Sequence, residues 1–268
     1  MYLADYHTHT CCSMDSEAPL EREAERAAAL GLRELCTTDH WDLLDEAGGR
    51  GRPLDWGPVL EQYRRASAGA PEGLRLRLGV ELGNAAEDPG RVRETLAAAP
   101  VDFVIGSVHN QSSAAGGRDL YFLEYAGPED CRRVLEDYLD SLERTAELPD
   151  CYDVLGHVLY PLRYMAGVPG GPSGLEGCRE RLRAVLAAAV RAGRGIEVNT
   201  YRGRTLEEWR PVLELYRECG GEIVTLGSDA HAAEDVGRGI ARAQELLKEA
   251  GFRYQAVYSR RTPQFIRL

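Results

Sequence analysis

The sequence predicts an α/β protein in which seven strand-then-helix units close, or nearly close, into a barrel of parallel strands. Three observations carry this. Apolar, β-branched runs alternate with helical stretches along 268 residues, and such alternation implies a parallel sheet covered by helices. No long linker, internal repeat or low-complexity tract divides the chain, so 1–268 reads as one domain and an open doubly wound sheet as the alternative. All six histidines fall in short motifs near the ends of strand-like runs, and active sites of β/α barrels sit at the C-terminal ends of the strands.

The units follow in order. LADYHTH (3–9) is the first strand, followed by a helix over 19–30, with Pro19 near its first turn, Glu21 and Glu23 early, and Gly31 as its stop. LRELCTTDH (32–40) is the second strand, with a helix near 57–68. LRLRLGVEL (74–82) is the third, with a helix near 90–99. VDFVIGSVH (101–109) is the fourth. The helix after it, 128–147, places Val134, Leu135, Tyr138, Leu139 and Leu142 on one face. YDVLGHV (152–158) precedes a helix over 175–192, and GIEVNTY (195–201) one over 205–219. GEIVTLGSDAH (221–231) precedes the last, over 233–250. The tail YQAVYSRRTPQFIRL has no partner in this scheme. The Gly- and Pro-rich segments 44–57, 110–118 and 166–177 read as loops. They follow the strands ending in His40, His109 and His157, so they should rim the mouth as active-site loops.

Composition narrows the function. The net charge of −11 argues against a phosphate-backbone binder, which carries a basic face. Apolar runs are shorter than a membrane span, and Met1 leads straight into a strand-like run, so a cytoplasmic protein with no membrane partner is expected. Seven widely spaced cysteines with no Cys-x-x-Cys pair disfavour a disulfide framework or zinc knuckle. Oligomeric state is left open.

The chemistry lies in DYHTHT, TTDH, GVELG, GSVHN, LGH and GSDAH. Residues two apart on a strand share a face. His7 and His9 can therefore reach one metal together, and so can Asp229 and His231. Glu81 ends the third strand, where its two oxygens can bridge two ions. His40, His109 and His157 end three more strands, and Asp15 follows His9 by six residues. Nine such groups exceed the three or four of a mononuclear zinc site. They suit two or three divalent ions, with Zn, Mn and Fe all compatible. Arg163 and Arg202 follow strands on the mouth side, and a guanidinium fork matches phosphate oxygens. Asn199 and Tyr201 also point at the mouth by strand alternation, and Trp41, Asp42, Tyr160 and Tyr164 are further candidates for substrate contact.

Those six ordered motifs resemble the polymerase and histidinol phosphatase (PHP) superfamily. DFVIGSVHN, DLYF and Tyr125 are similar to its monofunctional histidinol-phosphatase branch. The resemblance implies a distorted (β/α)7 barrel and three metal sites: His7, His9, Glu81 and Asp229; Glu81, His109 and His157; and Asp15, His40 and His231. Many members carry His where Asp15 stands. It implies hydrolysis of the small phosphorylated metabolite L-histidinol phosphate in histidine biosynthesis, by hydroxide generated at the ions. Arg163 and Arg202 would act on the phosphate, and Asp229 is a candidate proton donor to the leaving alkoxide. Another small phosphate ester or a nucleotide is the alternative substrate. An amidohydrolase built on a lysine carbamate is disfavoured, because the one lysine, Lys248, lies in the last helix.

Overall fold

A computed structural model describes residues 1–268 except 173 and 176. Its sheet holds β1 (Ala4–Thr8), β2 (Glu34–Thr37), β3 (His40–Asp42), β4 (Arg75–Gly83), β5 (Phe103–Ser107), β6 (Val154–Leu155), β7 (Gly195–Asn199) and β8 (Val224–Gly227). All pairings are parallel, in the order β1-β2-β4-β5-β6-β7-β8, with β3 also on β4. The ends of this path meet. Asp229 N donates to His7 O at 2.9 Å, His9 N donates to Ala230 O at 2.8 Å, and Thr8 bridges Ala230. The sheet is thus a nearly closed barrel of the kind the alternating units predict.

The helices are α1 (Leu20–Ala29), α2 (Trp56–Ala68), α3 (Pro89–Ala97), α4 (Pro128–Ala146), α5 (Leu162–Met165), α6 (Arg179–Arg191), α7 (Trp209–Glu218) and α8 (Ile240–Glu249). The side chains of Asp55 and Asp88 cap α2 and α3 by accepting from Gly57 N and Arg91 N, donors the first helical turn leaves free. The predicted apolar stripe of α4 is buried in a cluster with residues of the sheet and of α6 to α8. Among the described residues no helix is long and apolar enough to cross a membrane.

Several elements depart from the sequence prediction, and the helices expected over 205–219 and 233–250 begin only at Trp209 and Ile240. The second strand, expected over 32–40, breaks at Thr38–Asp39 into β2 and β3. The Asp39 carboxylate, buried, takes hydrogen bonds from Thr10 N, Thr10 Oγ1, Ser13 Oγ and Thr37 Oγ1. The chain steps over there, and β3 pairs His40 with Glu81. Trp41, a candidate substrate contact, faces the core at 3% exposure. The helix expected over 175–192 begins at Arg179, and residue 176 within that span lies outside the described residues. The tail forms an antiparallel hairpin, β9 (Tyr254–Ser259) and β10 (Thr262–Arg267). It covers the N-terminal ends of the strands, where Val257 and Tyr258 pack with Tyr6, Phe103, Ile105 and Val154.

Candidate metal centre

Strand ends bring the nine predicted donors together at the C-terminal mouth. His7 lies in β1 and His9 just past its end, and their Nε2 atoms stand 3.0 Å apart. Glu81, at the mouth end of β4, lies at the centre: Oε2 is 3.1 Å from His7 Nε2 and 3.1 Å from His40 Nδ1, while Oε1 is 2.8 Å from His157 Nε2 and 3.2 Å from His109 Nε2. Asp229 Oδ1 is 3.5 Å from His9 Nε2. Asp15 Oδ2 reaches His231 Nε2 at 2.9 Å and His40 Nε2 at 3.4 Å. Four groups offer donor atoms all within 4.8 Å of one another: His7, His9 and Asp229; Glu81, His109 and His157; His9, Asp15, His40 and His231; and His40, Asp42 and His109. His9 belongs to two of them, so the groups adjoin.

The hydrogen bonds on the far sides of the rings test whether cations fit. His7 Nδ1 donates to Glu197 Oε1 at 2.6 Å, and His109 Nδ1 to Asp42 Oδ1 at 2.7 Å. His231 Nδ1 donates to the Asp229 carbonyl at 3.1 Å. Ser13 Oγ gives its proton to Asp39, so it accepts from His9 Nδ1 at 3.2 Å. Each Nδ1 proton held outward leaves an Nε2 lone pair aimed inward. Lone pairs therefore face lone pairs and carboxylate oxygens. Multiple divalent ions suit this arrangement; without them protons must fill it.

Small residues make room for the outer partners. A Cβ on Gly83 would overlap Asp42 Oδ1, and one on Gly227 would overlap Glu197 Oε1 and His7 Cβ. Asp229 itself adopts a left-handed backbone, φ 58, as do Tyr201 and Arg202, φ 44 and 57. Such residues are uncommon outside glycine and cluster at functional sites.

Electrostatics follow from burial against pairing. Burial is the largest influence on these rings and opposes charge. At His7, the carboxylates Glu197, Glu81 and Asp229 outweigh it and hold the pKa well above the usual value. His40 is pushed up to about 9 by Glu81 and Asp15 in the same way. His9 goes down to about 3, because burial and the neighbouring His40 reinforce each other. Despite burial, the imidazoles hold Glu81 and Asp229 well below the carboxylate range.

Seven of these donors, all but the fully buried His7 and His9, border a cavity of about 550 Å³, also lined by Tyr160, Arg163, Tyr164, Tyr201 and Arg202. Arg163 lies on α5. Its Nη2 donates to Asn199 Oδ1 at 3.2 Å, and its guanidinium sits 4.1 Å from the Tyr201 ring centre and 5.1 Å from that of Tyr160. Arg202 lies 4.9 Å over Tyr201, and its buried Nε has no partner among the described residues. Asn199, expected to touch substrate, is fully buried and absent from the lining. It instead braces Arg163, and its amide donates to Asp229 Oδ2 at 3.2 Å. Glu46, Asp119 and Tyr121, from the 44–57 loop and the 110–118 loop with the residues after it, border the cavity. Among the described residues the 166–177 loop does not.

The sequence profile of the PHP domain matches residues 5–201, a span holding seven of the nine donors. The chain belongs to the PHP domain family. A histidinol-phosphatase from Lactococcus lactis subsp. lactis (strain IL1403) is 29% identical over 260 residues, covering 95% of this chain and 94% of its own. A probable histidinol-phosphatase from Deinococcus radiodurans is 30% identical over 264 residues, covering 94% and 95%. The crystal structure of the Lactococcus histidinol phosphate phosphatase complexed with Zn, L-histidinol and phosphate superposes with a TM-score of 0.82, at 26% identity and over 98% of each chain. Within this PHP fold, sequence reading missed Glu197, Asp39 and Ser13. Strand alternation held a signal for Glu197, which shares a face with Asn199 in GIEVN. Ser13 and Asp39 act through a loop and a strand break, which have no periodicity to read.

Proposed function

We propose that this chain is a phosphoric monoester hydrolase, a single domain over 1–268, that converts L-histidinol phosphate to L-histidinol and phosphate. The observation that carries the reading is the convergence of nine imidazoles and carboxylates at one mouth, seven of them lining a cavity together with two arginines. His7, His9, Glu81 and Asp229 would hold one divalent ion, Glu81, His109 and His157 a second, and Asp15, His40 and His231 a third, with Zn, Mn and Fe all compatible. When bound, such ions lower the proton affinity of water and neutralise phosphoryl oxygens.

The protein's own groups do the rest. Glu197, Asp42 and Ser13 keep the rings turned so that Nε2 faces the cavity. Arg163 and Arg202 bind phosphate oxygens and stabilise charge as it grows on them. Asn199 and Tyr201 set the pose of Arg163. Asp229 would help hold an ion and is the candidate proton donor to the leaving alkoxide. The reading includes a cytoplasmic enzyme of histidine biosynthesis acting on a small molecule. The net charge of −11 supports a partner other than nucleic acid.

The test is steady-state phosphate release from a panel of esters that includes L-histidinol phosphate, with metal content measured on the same sample. Histidinol phosphate should give the highest kcat/KM. Glu81→Ala and His109→Ala should abolish turnover with circular dichroism unchanged. No release with Zn, Mn or Fe would sink the reading.

A further inference from the structure

All seven cysteines are free thiols, and two of them, Cys11 and Cys12, are neighbours in the chain. They occupy the centre of the turn that closes when Ser13 N donates to Thr10 O at 2.8 Å. Their sulfurs converge on one side chain, that of Gln62 on α2, which is buried. Gln62 Oε1 accepts from Cys11 Sγ at 3.1 Å, and Gln62 Nε2 donates to Cys12 Sγ at 3.4 Å. Burial pushes the Cys12 thiol up to about 11, with Asp39 and the adjacent Cys11 thiol adding to it. Cys11 is exposed, Cys12 and Cys219 are half-buried, and the other four are buried. An oxidant in solution therefore meets Cys11 first and finds a second thiol beside it.

This turn joins His9 to Asp15, two donors of one group. Cys12 N donates to Thr10 Oγ1 at 3.2 Å, and Thr10 Oγ1 donates in turn to the Asp39 carboxylate. Ser13, next in the chain, accepts from His9 Nδ1 and from His40 N at 3.0 Å. Adjacent Cα atoms stand about 3.8 Å apart, closer than the roughly 4.4 Å at which relaxed disulfides begin. A bridge between these neighbours must therefore twist the Cys11–Cys12 peptide, whose N–H is the one bound to Thr10. The strain makes such a bridge easy to reduce again.

We propose that Cys11 and Cys12 form a reversible oxidation site, which on closing into a disulfide loosens the His9–Asp15 segment and weakens the grip of Asp15, His40 and His231 on an ion. The oxidant is a small disulfide, R–S–S–R, of the glutathione class. The Cys11 sulfur attacks one of its sulfurs, loses a proton and expels the first R–S group. The Cys12 sulfur then attacks the Cys11 sulfur, loses its own proton and expels the second. One S–S bond replaces another: two cysteine thiols are oxidised, and the two R–S groups leave as R–SH with both protons.

The experiment treats zinc-loaded wild type, Cys11→Ser and Cys12→Ser with glutathione disulfide. Intact mass, peptide maps and zinc retained against a chromogenic chelator are followed together. Wild type should lose two hydrogens, mapped to the peptide holding Cys11 and Cys12. Its weakest zinc site should bind about tenfold less tightly or worse, the scale for disturbing an outer partner of a metal ligand. Phosphate release should fall in step, and a thiol reductant should restore mass, zinc and turnover. Cys12→Ser should stop with glutathione attached to Cys11, and Cys11→Ser should keep its zinc in the oxidant. A mixed disulfide that persists on wild-type Cys11 overturns the proposal, and so does a bridge that leaves zinc affinity unchanged. An equal loss of zinc in Cys11→Ser places the oxidation elsewhere and overturns it too. Mass and zinc retention decide the matter independently of the phosphatase reading.

Discussion

Glu197 does not line the site cavity, yet it sets the state of the whole centre. Its Oε1 accepts a hydrogen bond from His7 Nδ1 and its Oε2 accepts from His157 N at 3.1 Å. Replacing it with Gln keeps the shape and removes the charge, so His7 Nε2 becomes a weaker donor. Metal affinity in Glu197→Gln should fall about 10–100-fold, read by competition with a chromogenic chelator. Unchanged affinity would reduce Glu197 to a packing residue. The raised imidazoles make a second prediction. At neutral pH the ion-free centre holds protons on His7, His40 and His109, so loading with Zn must expel protons. Affinity should rise with pH up to about 9, the value for His40. The sign for stability runs the other way in ion-free protein. A raised imidazole stabilises fully below its ordinary value of about 6.5, and that contribution disappears as pH climbs through the folded value. The melting temperature gained on adding Zn should therefore widen between pH 6.5 and 9. A pH-stat that records no proton release on loading would refute the proton-filled centre.

At the scale of elements, the hairpin β9–β10 acts as a stopper in the end of the barrel away from the site. Tyr6 Oη donates to Glu34 Oε2 at 2.5 Å and accepts from Tyr258 N at 2.9 Å, and the Tyr258 ring packs on Phe103 at 4.9 Å. Arg260 N and Arg261 Nε bind Asp102 and Asp153, just before β5 and β6. Tyr258→Ala should cost roughly 3–5 kcal/mol, the range for deleting a large buried aromatic. Chemical denaturation measures this; a loss under 1 kcal/mol would mean the stopper is dispensable. This hairpin was invisible to the strand-helix pattern because its partners are the barrel's own interior side chains, some 250 residues earlier in the case of Tyr6. The strands and helices of the seven units were legible because period 2 and period 3.6 repeat within each segment. The break between β2 and β3 was not, because it depends on what the Asp39 carboxylate gathers from the distant loop at Thr10 and Ser13. The donors were legible for a related reason: His-x-His and Asp-x-His share a face by local geometry alone. Their outer partners come from other strands, so only the folded chain pairs Glu197 with His7 or Asp42 with His109.

For the whole molecule, the weak point of the barrel and its metal centre coincide. Elsewhere neighbouring strands are joined by ladders that run from two residue pairs, in β5–β6 and β6–β7, to five in β4–β5. Between β8 and β1 there is one isolated bridge. Asp5 compensates from within, its buried carboxylate accepting from Ser228 N at 2.9 Å and Gly237 N at 2.8 Å. The mouth end of that seam carries His7 and His9 on one side and Asp229 and His231 on the other. Ions held by both sides would clamp the seam, so binding energy becomes barrel closure by linkage. Chelation should therefore loosen the molecule unevenly. Hydrogen exchange should quicken in peptides covering 4–10 and 226–231 far more than in those covering β4 and β5, because open states near the seam need break few backbone bonds. Restoring Zn should reverse this, and Asp5→Asn should mimic part of it with metal present. If chelation leaves exchange unchanged at the seam, or raises it equally everywhere, the barrel closes without help from the ions and the clamp is wrong.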